Sequence, residues 1–286
     1  MRSIETNGVT LAVDDQGTGD AVVLLHGFPE LAYSWRHQIP ALVDAGYRAV
    51  SFDQRGYGAS SRPEDVSDYS LEMLVGDVIG LLDRLGIDTA TVVGHDWGSI
   101  VGWTTAIVHP DRISRVASLN VPYRGACIGF PTTDVIREQL ADRFGYVLMF
   151  QDEGVVEAMF SADPDAWLRG AFSMVAGNKD FLTDDEFGVF ADAFRAGGIT
   201  GPVNWYRNID ANAATFADYL DAPIQQPTLM LAADGDPVLP VSLTEGMDRW
   251  IPDLTTVVIE DSGHWTQQEQ PEAVSAALLD WLDRTS

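Results

Sequence analysis

The 286-residue chain carries 43 acidic and 17 basic residues, which gives a formal net charge of −26. This balance excludes binding to nucleic acid or to anionic membrane surfaces through a basic patch, because too few cations are available to meet phosphate groups. The one cysteine, Cys127, excludes an intramolecular disulfide, and the length suits one large α/β domain or a core with an insertion.

The first predicted strands lead into a short loop that contains glycine and proline. Residues 9–14 alternate weakly and predict an edge strand, and the apolar run 21–25 predicts a central strand covered on both faces. The loop His26-Gly27-Phe28-Pro29-Glu30 follows directly. It is expected to be tight and to lie at the carboxyl edge of the sheet, where the X-Pro bond permits a cis peptide and a backbone N–H can point into a site. The alternative is an ordinary connecting turn.

Strands and helices then alternate along the first half of the chain. A charged, glycine-rich loop over residues 53–60 is expected at the same edge of the sheet, with Asp53 and Arg55 supporting neighbouring loops rather than reacting. The alternation predicts a parallel sheet within a three-layer α/β arrangement. The other elements predicted in this half are helices over 34–45 and 71–85 and strands over 48–52 and 116–119.

The stretch Gly94-His95-Asp96-Trp97-Gly98 joins a predicted buried strand, residues 89–93, to a predicted helix, residues 99–108. A turn this short leaves no room for side chains at its flanks, so the two glycines are what the geometry needs. The pattern is the G-x-S-x-G nucleophile elbow with aspartate in place of serine. A carboxylate here is suited to displace a leaving group from an sp³ carbon, giving an alkyl ester that a second step hydrolyses. The alternative is that Asp96 only caps the following helix.

Strand signals stop between residues 123 and 222, and aromatic and helical patterns replace them. About a hundred residues without strands is too long for a loop, so a helical cap over the elbow is expected there. The core would then consist of residues 1–122 and 223–286, with strands over 228–232 and 255–259 and a helix over 271–282. The helices predicted in the cap cover residues 135–144, 155–160, 166–175, 184–196 and 203–207.

An ester on Asp96 requires a base to activate water and an acid to orient that base. His264, just past the last predicted strand, is the candidate base; His95 neighbours the nucleophile but is expected to point away. Asp236 is preferred as the acid over Asp234, which lies earlier in the same loop. Asp261 is too close along the chain to orient His264 comfortably.

The backbone N–H groups of Phe28 and Trp97 are the expected oxyanion-hole donors. The order of nucleophile, acid and histidine is that of the α/β-hydrolases.

These residues resemble the epoxide hydrolases of the α/β-hydrolase fold, including the hydrolase domain of soluble epoxide hydrolase. The resemblance covers nearly the whole chain and implies a three-layer α/β-hydrolase fold with a mostly parallel sheet and a helical cap inserted after the sixth strand. It is carried by His26-Gly27-Phe28-Pro29-Glu30, Asp53-Gln54-Arg55-Gly56-Tyr57-Gly58, Gly94-His95-Asp96-Trp97-Gly98 and Gly263-His264-Trp265.

The resemblance also assigns two cap tyrosines. Asn204-Trp205-Tyr206-Arg207-Asn208 matches a family motif that places Tyr206 as a proton donor to the epoxide oxygen. The segment 144–151 resembles a second motif and places Tyr146 in the same role, although its flanks depart from the pattern. A phenol stays protonated at neutral pH and can still yield its proton to an incipient alkoxide. Packing within a helical cap is the alternative for each, and it is the default for Tyr123 and Tyr219.

The activity implied is hydrolysis of an apolar epoxide to a vicinal diol, with water as co-substrate and neither a metal nor an organic cofactor. A haloalkane or haloacetate dehalogenase with the same triad is the alternative, although Phe28 offers no side-chain donor to a halide and Trp97 stands where an arginine would bind a carboxylate. A hydrolase scaffold that binds ligand without turnover is a further alternative.

The surroundings of the protein are also predicted. The chain shows no targeting or membrane-spanning pattern, which predicts a cytoplasmic protein, monomeric or homodimeric, without nucleic-acid or membrane partners. A salt-rich cytoplasm or the composition of the lineage would each account for the acidic surface.

Overall fold

The computed structural model describes residues 1–123, 131–178 and 180–285. Cys127 and Lys179 lie outside the described residues. Within the described part of the chain, one sheet holds eight strands in the order β1-β2-β4-β3-β5-β6-β7-β8. The strands are β1 (Arg2–Thr6), β2 (Val9–Gly17), β3 (Ala21–Leu25), β4 (Arg48–Asp53), β5 (Ala90–His95), β6 (Ile113–Leu119), β7 (Thr228–Ala233) and β8 (Leu254–Ile259).

The pairings from β4 to β8 are all parallel, whereas β2 pairs antiparallel with both β1 and β4, so that β2 alone runs against the other described strands. The prediction that residues 9–14 form an edge strand is wrong, because β1 pairs with the outer side of β2 and occupies the edge itself. The residues of β1 are mostly exposed, so the strand shows no apolar run that a sequence pattern could detect.

Helices flank the sheet and fill the connection between β6 and β7. A predicted helix over 34–45 is instead a 3₁₀ turn, Ala32–Trp35, followed by α1, because Pro40 lacks an N–H and is tolerated only in the first turn of a helix. The described helices are α1 (Gln38–Asp44), α2 (Leu71–Leu85), α3 (Trp97–Val108), α4 (Thr133–Val135), α5 (Ala141–Phe150), α6 (Val155–Ala162), α7 (Pro164–Val175), α8 (Asp184–Gly197), α9 (Thr200–Arg207), α10 (Ile209–Thr215), α11 (Thr266–Glu269) and α12 (Pro271–Arg284).

The two faces of the sheet contribute to two separate apolar clusters. Side chains from one face, such as Val22 and Leu24, pack with α1 and α12 around Trp281. Side chains from the other face, such as Val23 and Leu25, pack with α2 and α3 and continue into the helices between β6 and β7. The sheet is therefore covered on both sides, as the continuous apolar strands β3 and β5 predict.

The described elements between β6 and β7 are all helical. The predicted helix over 135–144 is broken up, because a π-helical turn covers Ile136–Leu140 and Phe144 departs from helical geometry at φ −117° and ψ 18°. The kink at Phe144 sets the direction of the two turns that carry Tyr146. No helix in the described ranges is long and apolar enough to cross a membrane.

Candidate active site

Asp96 lies between the end of β5 and the start of α3, in the strand-to-helix turn that the sequence predicts. Its backbone has φ 51° and ψ −122°, a conformation that costs energy for any residue with a Cβ and that the surrounding structure must impose. The flanking glycines make this possible, since a Cβ on Gly94 would overlap the Gly98 backbone and a Cβ on Gly98 would overlap the Leu25 carbonyl. The Asp96 side chain does not cap α3. The helix-capping alternative therefore does not describe this residue.

His264 and Asp236 meet Asp96 from the loops that follow β8 and β7. His264 Nε2 lies 3.7 Å from Asp96 Oδ2, and His264 Nδ1 lies 2.7 Å from Asp236 Oδ2. Asp234 instead accepts the backbone N–H of Ser262, and Asp261 turns the chain with φ 54°. The structure thus brings together the three residues that the sequence selects and places the two competing aspartates elsewhere.

The electrostatic surroundings favour charge on both members of the His264–Asp236 pair. Burial acts to lower the pKa of His264, but the Asp236 and Asp96 carboxylates outweigh it and hold that pKa well above its ordinary value. Burial acts to raise the pKa of Asp236, but the His264 ring and the backbone N–H groups of Val238 and Leu239 hold it well below its ordinary range. The two neighbouring carboxyl groups therefore favour the protonated form of the His264 ring before substrate binds.

The loop between β3 and α1 supplies a hydrogen-bond donor to the nucleophile. Its Phe28–Pro29 peptide is cis, and the Phe28 N–H donates to Asp96 Oδ1 over 2.8 Å. Gly27 makes this approach possible, because a Cβ there would lie 2.6 Å from Asp96 Oδ1. Trp97 is the first residue of α3 and is completely buried.

Two tyrosines from the helices between β6 and β7 face the nucleophile. The rings of Tyr146 and Tyr206 lie 6.2 Å apart, and a hydrogen bond joins their side chains. Burial raises the pKa of each phenol, and the Asp96 charge raises it further. Both phenols therefore remain protonated at neutral pH, as hydrogen-bond donors must.

Aromatic side chains surround these groups. The Phe28 ring meets Phe150, Trp167 and Tyr206 edge to face, at centroid distances of 5.6, 6.2 and 5.1 Å. The Tyr206 ring also stands edge to face on Trp97 at 5.1 Å. Such an environment excludes water and favours apolar ligands.

The region between Asp96 and the helices carries no metal-binding arrangement among the described residues. No group of three or more histidine, cysteine, aspartate or glutamate side chains in those ranges is placed to hold a metal ion.

Comparison with known proteins agrees with this geometry. Residues 20–271 match the α/β-hydrolase fold family. The chain is 40% identical to Epoxide hydrolase A of Mycobacterium tuberculosis, a match that covers 98% of this chain and 96% of the relative. The chain belongs to the epoxide hydrolases of the α/β-hydrolase fold.

Other epoxide hydrolases show the same relationship. The chain is 35% identical to the Bifunctional epoxide hydrolase 2 of Sus scrofa, of which it spans 54%. The crystal structure of Epoxide Hydrolase A from Mycobacterium thermoresistibile superimposes with a TM-score of 0.92 at 40% identity and covers 99% of this chain and 97% of that chain. These relatives favour epoxide hydrolysis over the dehalogenase alternative.

Two buried residues of this epoxide hydrolase were not singled out from the sequence. Glu30 Oε2 accepts from His95 Nδ1 over 2.6 Å and from the Gly27 N–H, and His95 Nε2 lies 2.7 Å from the His264 carbonyl oxygen. Burial opposes ionisation of Glu30, but the charge of His95 outweighs it and lowers the pKa of Glu30 to about 2. The pair thus links the Phe28 loop to the His264 loop. Glu30 is the last residue of the loop motif that begins at His26, but nothing local indicates that it is buried.

A second set of contacts ties the His264 loop to helix α7. The His264 N–H donates to the Val175 carbonyl over 2.9 Å, and Trp265 Nε1 donates to the Phe172 carbonyl over 2.8 Å. Gly263 and Gly177 pack backbone to backbone, with no room for a Cβ on either. The helices between β6 and β7 therefore hold the loop that carries the base.

Asp53 and Arg55 lie beside the site in supporting positions. Asp53 accepts the backbone N–H groups of Ala32 and Ala59, and Arg55 forms a buried ion pair with Asp77 at 2.6 Å. The chemistry at Asp96 requires neither the Asp53 carboxylate nor the Arg55 guanidinium. The sequence predicts such a supporting role for both residues.

Proposed function

We propose that this epoxide hydrolase works in two half-reactions on Asp96. The supporting observation is the arrangement of Asp96 itself: one carboxylate oxygen accepts the Phe28 N–H at 2.8 Å, and the other lies 3.7 Å from His264 Nε2. In the first half-reaction a carboxylate oxygen attacks an epoxide carbon from the side opposite the C–O bond that breaks. The products are an alkyl ester on Asp96 and an alkoxide.

Tyr206 and Tyr146 protonate the opening epoxide oxygen in this proposal. Burial and the Asp96 charge raise the pKa of both phenols, so neither ionises before the substrate develops negative charge. An alkoxide is a much stronger base than a phenolate, which makes the proton transfer favourable as the ring opens. The phenolate then takes a proton from the His264 ring, which leaves His264 neutral, and ester hydrolysis returns that proton to His264.

Formation of the ester changes the state of His264. The Asp96 carboxylate is one of two negative charges that hold the pKa of His264 high, and esterification removes that charge. The pKa of His264 therefore falls once the ester has formed, which favours the neutral imidazole that a general base must be. The first half-reaction thus prepares the base for the second.

Water hydrolyses the ester in the second half-reaction. His264 Nε2 accepts a proton from the water while Asp236 holds Nδ1–H, and the hydroxide attacks the ester carbonyl carbon of Asp96. The backbone N–H groups of Phe28 and Trp97 are the proposed donors to the oxyanion that forms. Collapse of the tetrahedral species releases the vicinal diol and regenerates the carboxylate.

The helices between β6 and β7 form the proposed cap, residues 123–222, over a core of residues 1–122 and 223–286. The cap contributes both tyrosines and the rings of Phe150 and Trp167, which pack against Phe28. An apolar epoxide, such as one with an aryl substituent, is the substrate class that this lining favours.

Product analysis with three electrophiles tests the proposal. Purified enzyme is mixed separately with styrene oxide, 1-bromobutane and fluoroacetate, and diol and halide are measured. We expect diol from styrene oxide and no halide from the other two, with diol formation lost in Asp96→Ala. Halide release without diol would contradict the proposal and favour a dehalogenase.

A further inference from the structure

Asn120 occupies a special position at the junction of three site loops. It is the first residue after β6, its φ is +66°, and its N–H donates to the Leu231 carbonyl of β7 over 2.9 Å. Asparagine is one of the few residues other than glycine that adopt this left-handed conformation readily. The side chain is only 1% exposed, so its polar atoms must find partners inside the protein.

The side chain of Asn120 donates to the carboxylate that orients the base. Asn120 Nδ2 lies 2.8 Å from Asp236 Oδ2, the same oxygen that accepts His264 Nδ1 at 2.7 Å. The other oxygen, Asp236 Oδ1, accepts the backbone N–H groups of Val238 and Leu239 at 2.8 and 2.9 Å. Each oxygen of Asp236 thus accepts two hydrogen bonds. Among the described residues, two of these donors are backbone N–H groups, and the other two are the side chains of His264 and Asn120.

Asp236 and Thr266 together favour one orientation of the Asn120 amide. A flipped amide would place its oxygen against the Asp236 carboxylate, and two acceptors cannot pair. Thr266 is completely buried two residues after His264, and its hydroxyl lies 2.7 Å from Asn120 Oδ1 and 3.0 Å from the Gly263 carbonyl. The hydroxyl therefore supplies the donor that the amide oxygen needs while an N–H points at Asp236.

An amide is suited to this position because it donates without carrying a titratable proton. A hydrogen bond to the charged form of a carboxylate favours that form, and the donor cannot take the proton from His264 Nδ1. The amide also prevents Asp236 Oδ2 from turning away from the imidazole. Asn120 Nδ2 also lies 3.4 Å from the Gly263 carbonyl, next to His264, and neither of its described contacts is with Asp96.

We propose that Asn120 is a positioning residue for ester hydrolysis, holding Asp236 against His264 with an amide whose oxygen pairs with the Thr266 hydroxyl. The inference rests on the proposed two-step function. It assigns the Asn120–Thr266 pair to the second half-reaction and gives it no part in the first.

Substitution of Asn120 or Thr266 leaves the other ionisable groups around His264 unchanged. They are Asp96 at 3.7 Å, His95 with its ring 4.9 Å away, and its partner Glu30. Glu269 accepts the backbone N–H groups on both sides of His264, and the Tyr146 phenol lies on the side of Asp96. A change in pH dependence on substitution of Asn120 is therefore attributable to the contact with Asp236.

Asn120→Asp tests the proposal, since aspartate also tolerates the left-handed backbone and has the same shape. Single-turnover mixing with styrene oxide separates ester formation from ester hydrolysis, and mass spectrometry of the protein measures the ester. We expect ester formation within about twofold of wild type and hydrolysis at least about tenfold slower at about pH 8, where an ionised carboxyl repels Asp236. Hydrolysis should recover as the pH is lowered, because a protonated carboxyl donates as the amide does.

Thr266→Val and Thr266→Ser form a matched pair for the second contact. Valine removes the hydroxyl and should slow hydrolysis alone, whereas serine keeps the hydroxyl and should behave like wild type. The proposal would be overturned if Asn120→Asp hydrolysed the ester as fast as wild type at every pH. It would also be overturned if Asn120→Asp and Thr266→Val slowed both half-reactions equally, because that result indicates a purely structural role. Wild type is measured first: if it forms no ester, the proposed function fails, independently of either variant.

Discussion

At the scale of single residues, the site is built from groups whose neighbours decide their protonation. Asp236 and Glu30 are buried carboxylates that stay ionised because each faces a histidine. Tyr206 and Tyr146 are buried phenols that stay neutral because burial disfavours the phenolate and the Asp96 charge disfavours it further. Burial thus opposes charge on all four groups, and each of the two acids has a histidine partner that outweighs it.

Removal of one phenol should slow ring opening without stopping it. Tyr206→Phe and Tyr146→Phe each leave the other donor in place, so each is expected to slow ester formation by roughly 10²-fold, and the double variant more. Rapid-mixing measurement of ester formation with styrene oxide checks this. Tyr219→Phe, at a position 36% exposed in the same region, is the matched control and should react at the wild-type rate. Unchanged ester formation in both single variants and in the double variant would assign the two phenols to packing.

The stability contributed by Glu30 should depend on pH in a predictable direction. Its pKa is lowered from 4.5 to about 2 in the folded protein, so its contribution is present above pH 4.5 and is lost as the pH falls toward 2. Glu30→Gln should therefore be less stable than wild type at neutral pH, and the difference should shrink across that interval. Chemical unfolding at several pH values measures it, with the exposed Glu5→Gln as control. A difference that stays constant from pH 7 down to 2 would contradict the charge assignment.

Residues with local signals were predictable at this scale, and residues defined by long-range contacts were not. Asp96, His264 and Asp236 each follow a recognisable strand within a short motif, and the structure places them together. Glu30, His95 and Asn120 are defined by contacts with residues far away in the chain, which no pattern of neighbours reveals. His95 was expected to point away from the neighbouring nucleophile, and its ring nitrogens contact Glu30 and the His264 carbonyl.

At the scale of elements, the loop that carries the base is held from both sides. The sheet fixes its start through β8, and helix α7 fixes its middle through the His264 N–H and the Trp265 ring nitrogen. Gly263 and Gly177 allow the two backbones to approach. Movement of α7 would therefore move the base as well as the substrate lining.

Gly177→Ala should separate these backbones. An added Cβ would lie 2.5 Å from the Gly263 nitrogen, so the loop must shift, and we expect a lower unfolding temperature together with slower ester hydrolysis. Gly170→Ala is the matched control, because it lies in α7 with open space around it and should gain up to about 1 kcal/mol in helix propensity. Thermal unfolding and single-turnover kinetics of both variants check the prediction. Wild-type hydrolysis in Gly177→Ala would show that the contact does not position the base.

Elements with strong periodicity were predicted closely, and irregular ones were not. Helix α2 covers Leu71–Leu85 as predicted, because its apolar face is regular and Gly86, with φ 65°, ends it. The π-helical turn at Ile136–Leu140 inserts into a pattern that otherwise indicates a continuous helix, and α10 was not predicted. Tertiary packing decides such details, and periodicity does not record it.

At the scale of the whole molecule, the chain carries a net charge of −26 and has only 17 basic residues. Several arginines are used in ion pairs that hold elements together, such as Arg36 with Glu186 and Arg207 with Glu157. The remaining acidic residues repel one another across the surface, which destabilises the compact state. The fold class was predictable because alternating strands and helices allow few topologies, whereas the position of β1 at the edge of the sheet was not.

Salt should stabilise the folded protein. Screening weakens repulsion between exposed charges, with a Debye length that falls from about 10 Å at 0.1 M to about 3 Å at 1 M salt. We therefore expect the unfolding temperature to rise between these two concentrations of potassium chloride. A temperature that is unchanged or lower at 1 M would show that repulsion does not limit stability.

In the proposed mechanism, the oxygen added to the epoxide comes from the Asp96 carboxylate, and water replaces that oxygen in Asp96. A single turnover of styrene oxide with excess enzyme in heavy-oxygen water tests this directly by mass spectrometry of the diol and of the peptide that contains Asp96. We expect an unlabelled diol in the first turnover and heavy oxygen in Asp96. Heavy oxygen in the diol of the first turnover, with Asp96 unlabelled, would mean that water attacks the epoxide directly and would contradict the ester intermediate.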